Sequence, residues 1–341
     1  MGILQLQDSP LTSSARTAYR SVRAAYRKVR AIRNRFLNFI ESPIVILIYH
    51  RVANLPADPE MLAVSRENFY RHMLFLKQHF RILRFEEEWF GLKEPAVVVT
   101  FDDGYADNVL EALPVLEEVG VPATFFVSSG HVGTEKEFWW HQLEGILLRE
   151  GEFPALFQLD DARYGRVWDT ASLDQRKALY ASLNMAMREI PPDRRDAWLD
   201  QLGKWADRRH GGKDIHRSMT KEEVKMLAAS PWATIGAHTV THSALSSLTE
   251  EQQRKEIFTS KQDLESITGK EITTFSYPFG RKRDYDRTSV RLCREAGFIR
   301  SAANFPGQVH RWTDPFQLPR HLVRNWDLET FAAELKSFWT R

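Results

Sequence analysis

The sequence predicts an α/β fold of the (β/α)-barrel type, and three observations lead there. Short apolar, β-branched runs, about seven of them, alternate with segments of helical period along most of the chain. Polar residues capable of chemistry follow several of these runs directly, and a barrel gathers its reactive groups at the C-terminal ends of its strands. The 341 residues, 43% hydrophobic and 12% aromatic, are enough to bury the core of a single barrel domain.

Residues 1–42 come first, as a basic amphipathic helical segment. Up to residue 40 they hold eight Arg or Lys against Asp8 alone, a net charge of +7 that leaves −5 for the rest of a chain whose overall charge is +2. Ala15, Tyr19, Val22, Tyr26, Val29 and Ile32 recur at steps of three and four, the spacing of one helix face. Two readings stay open: the helix lies on an anionic membrane surface, or its apolar stripe packs on the domain. The start of the chain shows no secretory-signal pattern, and no stretch approaches the ~18 apolar residues that cross a bilayer. The expected location is therefore cytoplasmic, peripheral on the inner face of the cytoplasmic membrane, with no nucleic-acid partner.

The barrel domain, 43–341, opens with a strand at Ile44–Tyr49 (IVILIY) that suits a buried parallel position. A helix at about Arg66–Phe80 follows from Phe69, Met73, Leu76 and Phe80 on one face, then a brief strand at Ile82–Phe85. Ala96–Phe101 (AVVVTF) is the clearest strand. It leads to a helix at about Ala106–Val119 that stops at Gly120 with Pro122 beyond, and then to a strand at Ala123–Val127. Between about 131 and 217 the alternation lapses into a stretch read as several helices without a strand, an insertion over one barrel face. Alternation resumes with a helix at Thr220–Ala229, a strand at Ala233–Ala237, a helix at Glu250–Thr268 and a strand at Thr273–Tyr277. A helix at Tyr285–Ala296, strands at Phe298–Ala302 and Leu318–Val323, and a helix at Leu328–Trp339 complete the chain. Cys293, the single cysteine, excludes an intrachain disulfide and a site of several thiolates.

His50, Asp102 with Asp103, and His238 each follow one of the apolar strands. His238 and His242 stand four residues apart and can meet one ion if the turn between them is helical. Two neutral imidazoles with a carboxylate are a common ligand set for catalytic zinc. Such a metal activates water and polarises a carbonyl while a second carboxylate takes the proton, which gives adjacent aspartates a use. Alone, a spaced histidine pair is commonly surface decoration and Asp-Asp-Gly an ordinary turn. Together, each after a strand, they point to a metal centre.

Thr100–Asp107 (TFDDGYAD), Gly236–His242 (GAHTVTH) and Phe275–Gly280 (FSYPFG) stand in the order and spacing of a known family. Through them the sequence resembles the polysaccharide deacetylases with a NodB homology domain, carbohydrate esterase family 4, over most of 44–325 apart from the insertion. The resemblance implies a distorted (β/α)7 TIM-like barrel and hydrolysis of an acetamide on a sugar to a free amine and acetate. It implies Asp102 as general base and Asp103, His238 and His242 as metal ligands. Zinc is the metal implied first, with cobalt or nickel as alternatives. Phe279 would offer its backbone N–H to the tetrahedral oxyanion.

Two departures from the pattern matter. The third motif usually carries an arginine that orients the base, and Ser276 occupies that position; Arg320 is the candidate replacement, a surface ion pair being its bland reading. The general acid is usually a histidine near the domain end. His321 lies there, but strand alternation lets only one of Arg320 and His321 face the mouth. Tyr49-His50-Arg51 resembles instead the permuted branch that includes the biofilm poly-N-acetylglucosamine deacetylases, where an N-terminal histidine is the acid, so His50 is preferred.

Smaller expectations concern three groups. Phe138, Trp139 and Trp140 either stack on a sugar or belong to the core; Arg281, Lys282 and Arg283 either contact a phosphate or uronate or form a solvated loop; Thr239 and Thr241 satisfy backbone groups. The function expected is a metal-dependent hydrolase removing the N-acetyl group from an N-acetylhexosamine unit of a glycan, or of a lipid-linked glycan precursor in cell-envelope glycan biosynthesis. A same-fold esterase or deformylase, and a glycan-binding module without turnover, are the other readings.

Overall fold

A computed structural model of the chain describes residues 37–38, 41–89, 91–207 and 214–339. Apart from 37–38 and 41–42, the expected basic helix lies outside the described residues. At its end, Glu41 N–H bonds the Leu37 carbonyl at 3.0 Å and Asn38 Nδ2 donates to the Trp339 carbonyl at 2.8 Å. No helix among the described residues is long and apolar enough to cross a membrane.

The sequence alternation becomes a curled parallel sheet whose strands neighbour each other in chain order. Ile44–Tyr49 and Ala96–Phe101 pair along their whole length, Ile44 with Ala96 through Tyr49 with Phe101, and all twelve residues are buried. Burial on both faces is why these runs are continuously apolar rather than alternating. The path continues through Ala123–Val127, Ala233–Ala237, Thr274–Ser276 and Arg300–Ala302, while His321–Leu322 pairs the other edge of Ile44–Tyr49.

Two features distort the barrel. Arg81–Leu83 wedges in as an eighth strand on Ala96–Val98, so that Ala123–Val127 pairs only Thr100 and Phe101 of that central strand. The seam between the last two strands is joined by a single parallel bridge, Ala302 to Leu318, instead of a ladder.

Strand parity sorts the side chains. Ile44, Ile46, Ala96, Val98, Phe126 and Ala302 form one cluster inside the barrel, and the opposite faces of the same strands pack under the helices. The inward parity carries on to His50 and Asp102 at the strand ends.

The described elements follow the expected ones to within a few residues except in three places, the first a short parallel pair, Arg51–Val52 with Ala63–Val64, that was not expected. The helix after Asp107 begins with a π-helical turn, Asn108–Ala112, before Leu113–Val119, and it ends as expected at Gly120 with φ 72°. The insertion is not purely helical. Besides helices at Trp139–Leu147, Leu173–Met187 and Pro192–Trp205 it contains an antiparallel hairpin, Leu156–Gln158 with Val167–Asp169. Asp161 makes its turn, its side chain accepting from the N–H groups of Arg163 and Tyr164 at 2.8 and 2.9 Å. Strands of three residues are too short for a period-two pattern to stand out against helical spacing. The insertion packs its own apolar cluster around Trp198, Leu183 and Phe157, and this cluster reaches the barrel mouth through Phe138, Trp139 and Trp140.

Candidate active site

A cavity of about 170 Å³ opens at the C-terminal ends of the strands, lined among others by His50, Asp102, Asp103, His238, His242 and Phe279. The residues singled out at separate strand ends therefore meet in one place.

Asp102 is the best-anchored of them. Arg320 Nη1 and Nη2 donate to its two carboxylate oxygens at 2.7 and 2.6 Å, a bidentate pair. The same guanidinium reaches Thr100 Oγ1 at 3.1 Å, Ser276 Oγ at 2.8 Å and the Ala303 carbonyl at 2.8 Å, and Ser276 Oγ donates to Asp102 at 3.2 Å. These bonds join strands that are not neighbours, so they run through the barrel interior. Arg320 is 1% exposed, which removes its reading as a surface ion pair. Where the family's third motif carries arginine, a serine here leaves room for a guanidinium arriving from the last strand. Burial opposes ionisation of Asp102, but the Arg320 charge, His238 and the Arg320 hydrogen bonds outweigh it and hold the carboxyl below its usual range.

Asp103 directs Oδ1 toward His242 Nε2 at 3.1 Å and His238 Nε2 at 3.6 Å. That oxygen is buried and accepts no hydrogen bond. His238 Nδ1 lies 2.7 Å from the Ser276 carbonyl, which places the ring proton on Nδ1 and leaves Nε2 with its lone pair toward Asp103. An orphaned carboxylate oxygen and two facing imidazole nitrogens form a donor set that fits one divalent ion. A second group, His141, Glu144 and His216, fits less well. Its imidazoles stack at 4.0 Å and 10°, and His141 Nε2 is engaged by Tyr105 Oη at 2.8 Å. Lone pairs lying in parallel stacked rings do not converge on one ion.

The expected helical turn between His238 and His242 is not formed. Thr239 has φ 62° and His242 φ 52°, so the segment is an irregular loop. Tertiary contacts hold it there. Ser129 and Gly130 N–H groups bond the carbonyls of Thr239 and Val240 at 3.1 and 3.0 Å. Glu256 Oε2 accepts the N–H groups of Val240 and Thr241 at 2.8 and 2.9 Å. From the insertion, the buried Arg195 reaches the Thr241 and His242 carbonyls at 3.3 and 3.4 Å. Thr241 Oγ1 bonds Glu256 and Ser243, and Thr239 Oγ1 has no partner, so neither threonine satisfies the backbone as expected. Asp103 and Phe279 also have positive φ, 78° and 59°, which gathers left-handed non-glycine backbone around the cavity.

Glu256 and Arg195 were missed in the sequence, because neither lies in a motif and each acts from an element distant in the chain. Glu256→Ala is expected to weaken binding of a divalent ion at this donor set about 10–100-fold, the usual cost of losing an outer-shell support. Competition titration against a chromophoric chelator measures it; an unchanged Kd would show that the loop keeps its shape without Glu256.

Parity also separates the two candidate acids. His321 points outward, stacks on Phe338 at 4.1 Å and lies 2.8 Å from the Gly307 carbonyl, away from the cavity. His50 lines the cavity, and its buried Nδ1 has no partner. Burial pushes its imidazole pKa down, while Asp103 and Asp102 pull the other way. Its backbone is fixed by Asn108 Nδ2, which donates to the His50 carbonyl at 2.8 Å, and by Arg51, whose Nε bonds Asp107 at 2.8 Å.

Phe279 N–H donates to no acceptor among the described residues. Trp139 and Trp140 belong to the insertion core and also line the cavity, with Trp140 edge-on to His242 at 4.8 Å. Of the basic trio, only Arg281 lines the cavity; Lys282 sits over Phe305 and Arg283 lies 3.6 Å from Asp284.

A sequence profile of the polysaccharide deacetylase family matches residues 91–152 and 201–300, on either side of the insertion. YxkH of Bacillus subtilis, assigned by name to the polysaccharide deacetylases, is 22% identical over 282 residues, 81% of this chain and 69% of the relative. Among solved structures, BC0361, a polysaccharide deacetylase from Bacillus cereus, is 19% identical with a TM-score of 0.55 over 86% of this chain and 69% of that one. IcaB from Ammonifex degensii is also 19% identical with a TM-score of 0.55, over 88% and 98%. Both share the fold. The chain belongs to the polysaccharide deacetylase family and is a carbohydrate N-deacetylase.

Proposed function

We propose that the protein removes the N-acetyl group from an N-acetylhexosamine unit of a glycan or lipid-linked glycan precursor, using one divalent metal held by Asp103, His238 and His242. The observation that carries this reading is the meeting of those three donor atoms with an Arg320-anchored Asp102 in one cavity. Zinc is the metal proposed, because two imidazoles and a carboxylate suit it; when bound it would supply Lewis-acid polarisation of the acetamide carbonyl and a more acidic water.

The residues then divide the work. Asp102, kept ionised by Arg320 and beside the donor set, is the base that takes the proton from the attacking water. The unspent Phe279 N–H receives the negative charge that develops on the carbonyl oxygen. His50, inside the cavity at the end of the first strand, hands a proton to the leaving amine, as in the permuted branch of the family. Residues 1–40, with their +7 charge, support a lipid-linked precursor at the inner face of the cytoplasmic membrane as substrate.

Release of acetate from N-acetylated oligosaccharides and glycolipids by the zinc-loaded protein, followed by mass spectrometry, tests the reading. Equimolar acetate and free amine are expected; no release from any of them with zinc bound would refute it. His50→Ala is expected to cut amide turnover about 10²–10⁴-fold, the usual size of a general-acid contribution, with far less effect on an activated acetyl ester whose leaving group needs no proton. Should His321→Ala reproduce that split instead, the acid is misassigned.

A further inference from the structure

We propose that the sugar acted on carries an anionic substituent, a phosphate or a carboxylate, bound by Arg188 and Arg281 on the Phe279 wall of the cavity. This names the substrate class of the site and rests on the deacetylase reading above.

Three arginines line the cavity beside the reaction centre, Arg188, Arg281 and Arg324, against one further acid, Glu60. Arg324 is committed to the chain, donating to the carbonyls of Glu60 and Met61. Glu60 is shared widely: Oε1 accepts from Tyr180 at 2.8 Å and Asn184 at 2.9 Å, and Oε2 accepts from Arg188 at 3.1 Å. The Asp102 charge is already matched by Arg320.

Arg188 and Arg281, on the Phe279 wall, keep unspent donors; Arg324 spends Nη1 on the two carbonyls. Arg188 uses Nη2 on Glu60, yet its Nε is buried without a partner. Its guanidinium carbon lies 5.0 Å from the centre of the Phe279 ring. Arg281, two residues further along the same loop, is exposed and forms no ion pair among the described residues. The acid nearest to it in sequence, Asp284, accepts the Arg281 backbone N–H at 2.8 Å and lies 3.6 Å from Arg283 Nε; burial raises its pKa, against the charges of Arg281 and Arg188, which also reach it. Asn304 packs against Gly280 on this wall and contributes an amide to the cavity lining.

A neutral hydroxyl brings no counter-charge to Arg281. A phosphate or carboxylate offers several oxygens and matches the planar guanidinium fork. The clearest sign is the position of both guanidiniums in the cavity lining, with Arg188 spending only Nη2 on Glu60 and Arg281 in no ion pair among the described residues.

The test compares three substrates of the zinc-loaded enzyme: a neutral N-acetylhexosamine methyl glycoside, its phosphate monoester, and a disaccharide pairing the same sugar with a uronate. Wild type is expected to favour at least one anionic form by about tenfold in kcat/KM, the scale of one charge-assisted hydrogen bond. The anionic-to-neutral ratio is expected to fall toward unity in Arg281→Gln and Arg188→Gln and to persist in Arg283→Gln, whose side chain lies outside the cavity lining. Which anionic form is favoured identifies the source of the charge. Equal handling of all three by wild type, or a ratio that survives both substitutions, would overturn the proposal. Calorimetric binding of the same compounds to the zinc-loaded Asp102→Asn variant separates this from the parent reading. If none of the three releases acetate, deacetylation fails, while the binding ratio still decides for or against the anionic subsite.

Discussion

Exchanging Asp103 or His238 for alanine is expected to abolish zinc binding and acetate release together, whereas Asp102→Asn keeps the metal and loses turnover. Asp103 and His238 are 2% and 1% exposed, and with His242 they supply the whole protein donor set of the proposed centre. Removing one of three ligands also strips the others of their geometry, because His238 and His242 both converge on Asp103 Oδ1. Losing a metal's charge stabilisation, several kcal/mol, lowers the rate at least about a thousandfold. Asparagine at 102 conserves shape but cannot take a proton, so a loss of about 10²–10⁴-fold is expected with metal content unchanged. Elemental analysis of purified variants beside initial rates reads both outcomes. Full zinc occupancy in Asp103→Ala and His238→Ala would remove these residues from the ligand set.

Arg320→Met is expected to be the most destabilising single change in the barrel interior. Arg320 satisfies five acceptor contacts: both Asp102 oxygens, Thr100, Ser276 and the Ala303 carbonyl. Methionine fills much of the volume but leaves a buried carboxylate without its cation, a loss of about 3–5 kcal/mol when one partner of a buried pair is removed. Activity falls with it, because burial by itself favours the neutral acid over the ionised base. The double variant Arg320→Met with Asp102→Asn carries no stranded charge and should recover much of the stability while remaining inactive. Urea unfolding midpoints for the four proteins close the cycle. If Asp102→Asn and Arg320→Met simply add, the two charges do not depend on each other.

Much of the site was legible along the chain. Asp102, Asp103, His50 and His238 were found because each follows a short apolar run, and such a run suits a buried parallel strand whose C-terminal end faces the mouth. The order of the barrel strands followed for the same reason, since consecutive strand–helix units pack side by side. Arg320 was reached by asking what replaces the arginine absent at Ser276. The structure brings His238 and His242 together, through an irregular loop rather than the helical turn on which their spacing had made the pairing depend. Local spacing suggests helix there, but Glu256 and the Ser129–Gly130 amides take the hydrogen bonds a helix would have used.

Fold class, the motif residues and the chemistry they share were readable along the chain, because these depend on residue type and short-range period. Long-range packing sets the rest: Arg320 points in and His321 out, Glu256 and Arg195 brace the histidine loop, Asn108 anchors His50, and Arg188 keeps an unspent donor beside Phe279. Each of these is a pairing of polar groups from elements far apart in the chain. Periodicity records which face of an element is buried; which partner a buried polar group meets is set by how the barrel closes and where the insertion lies across its mouth.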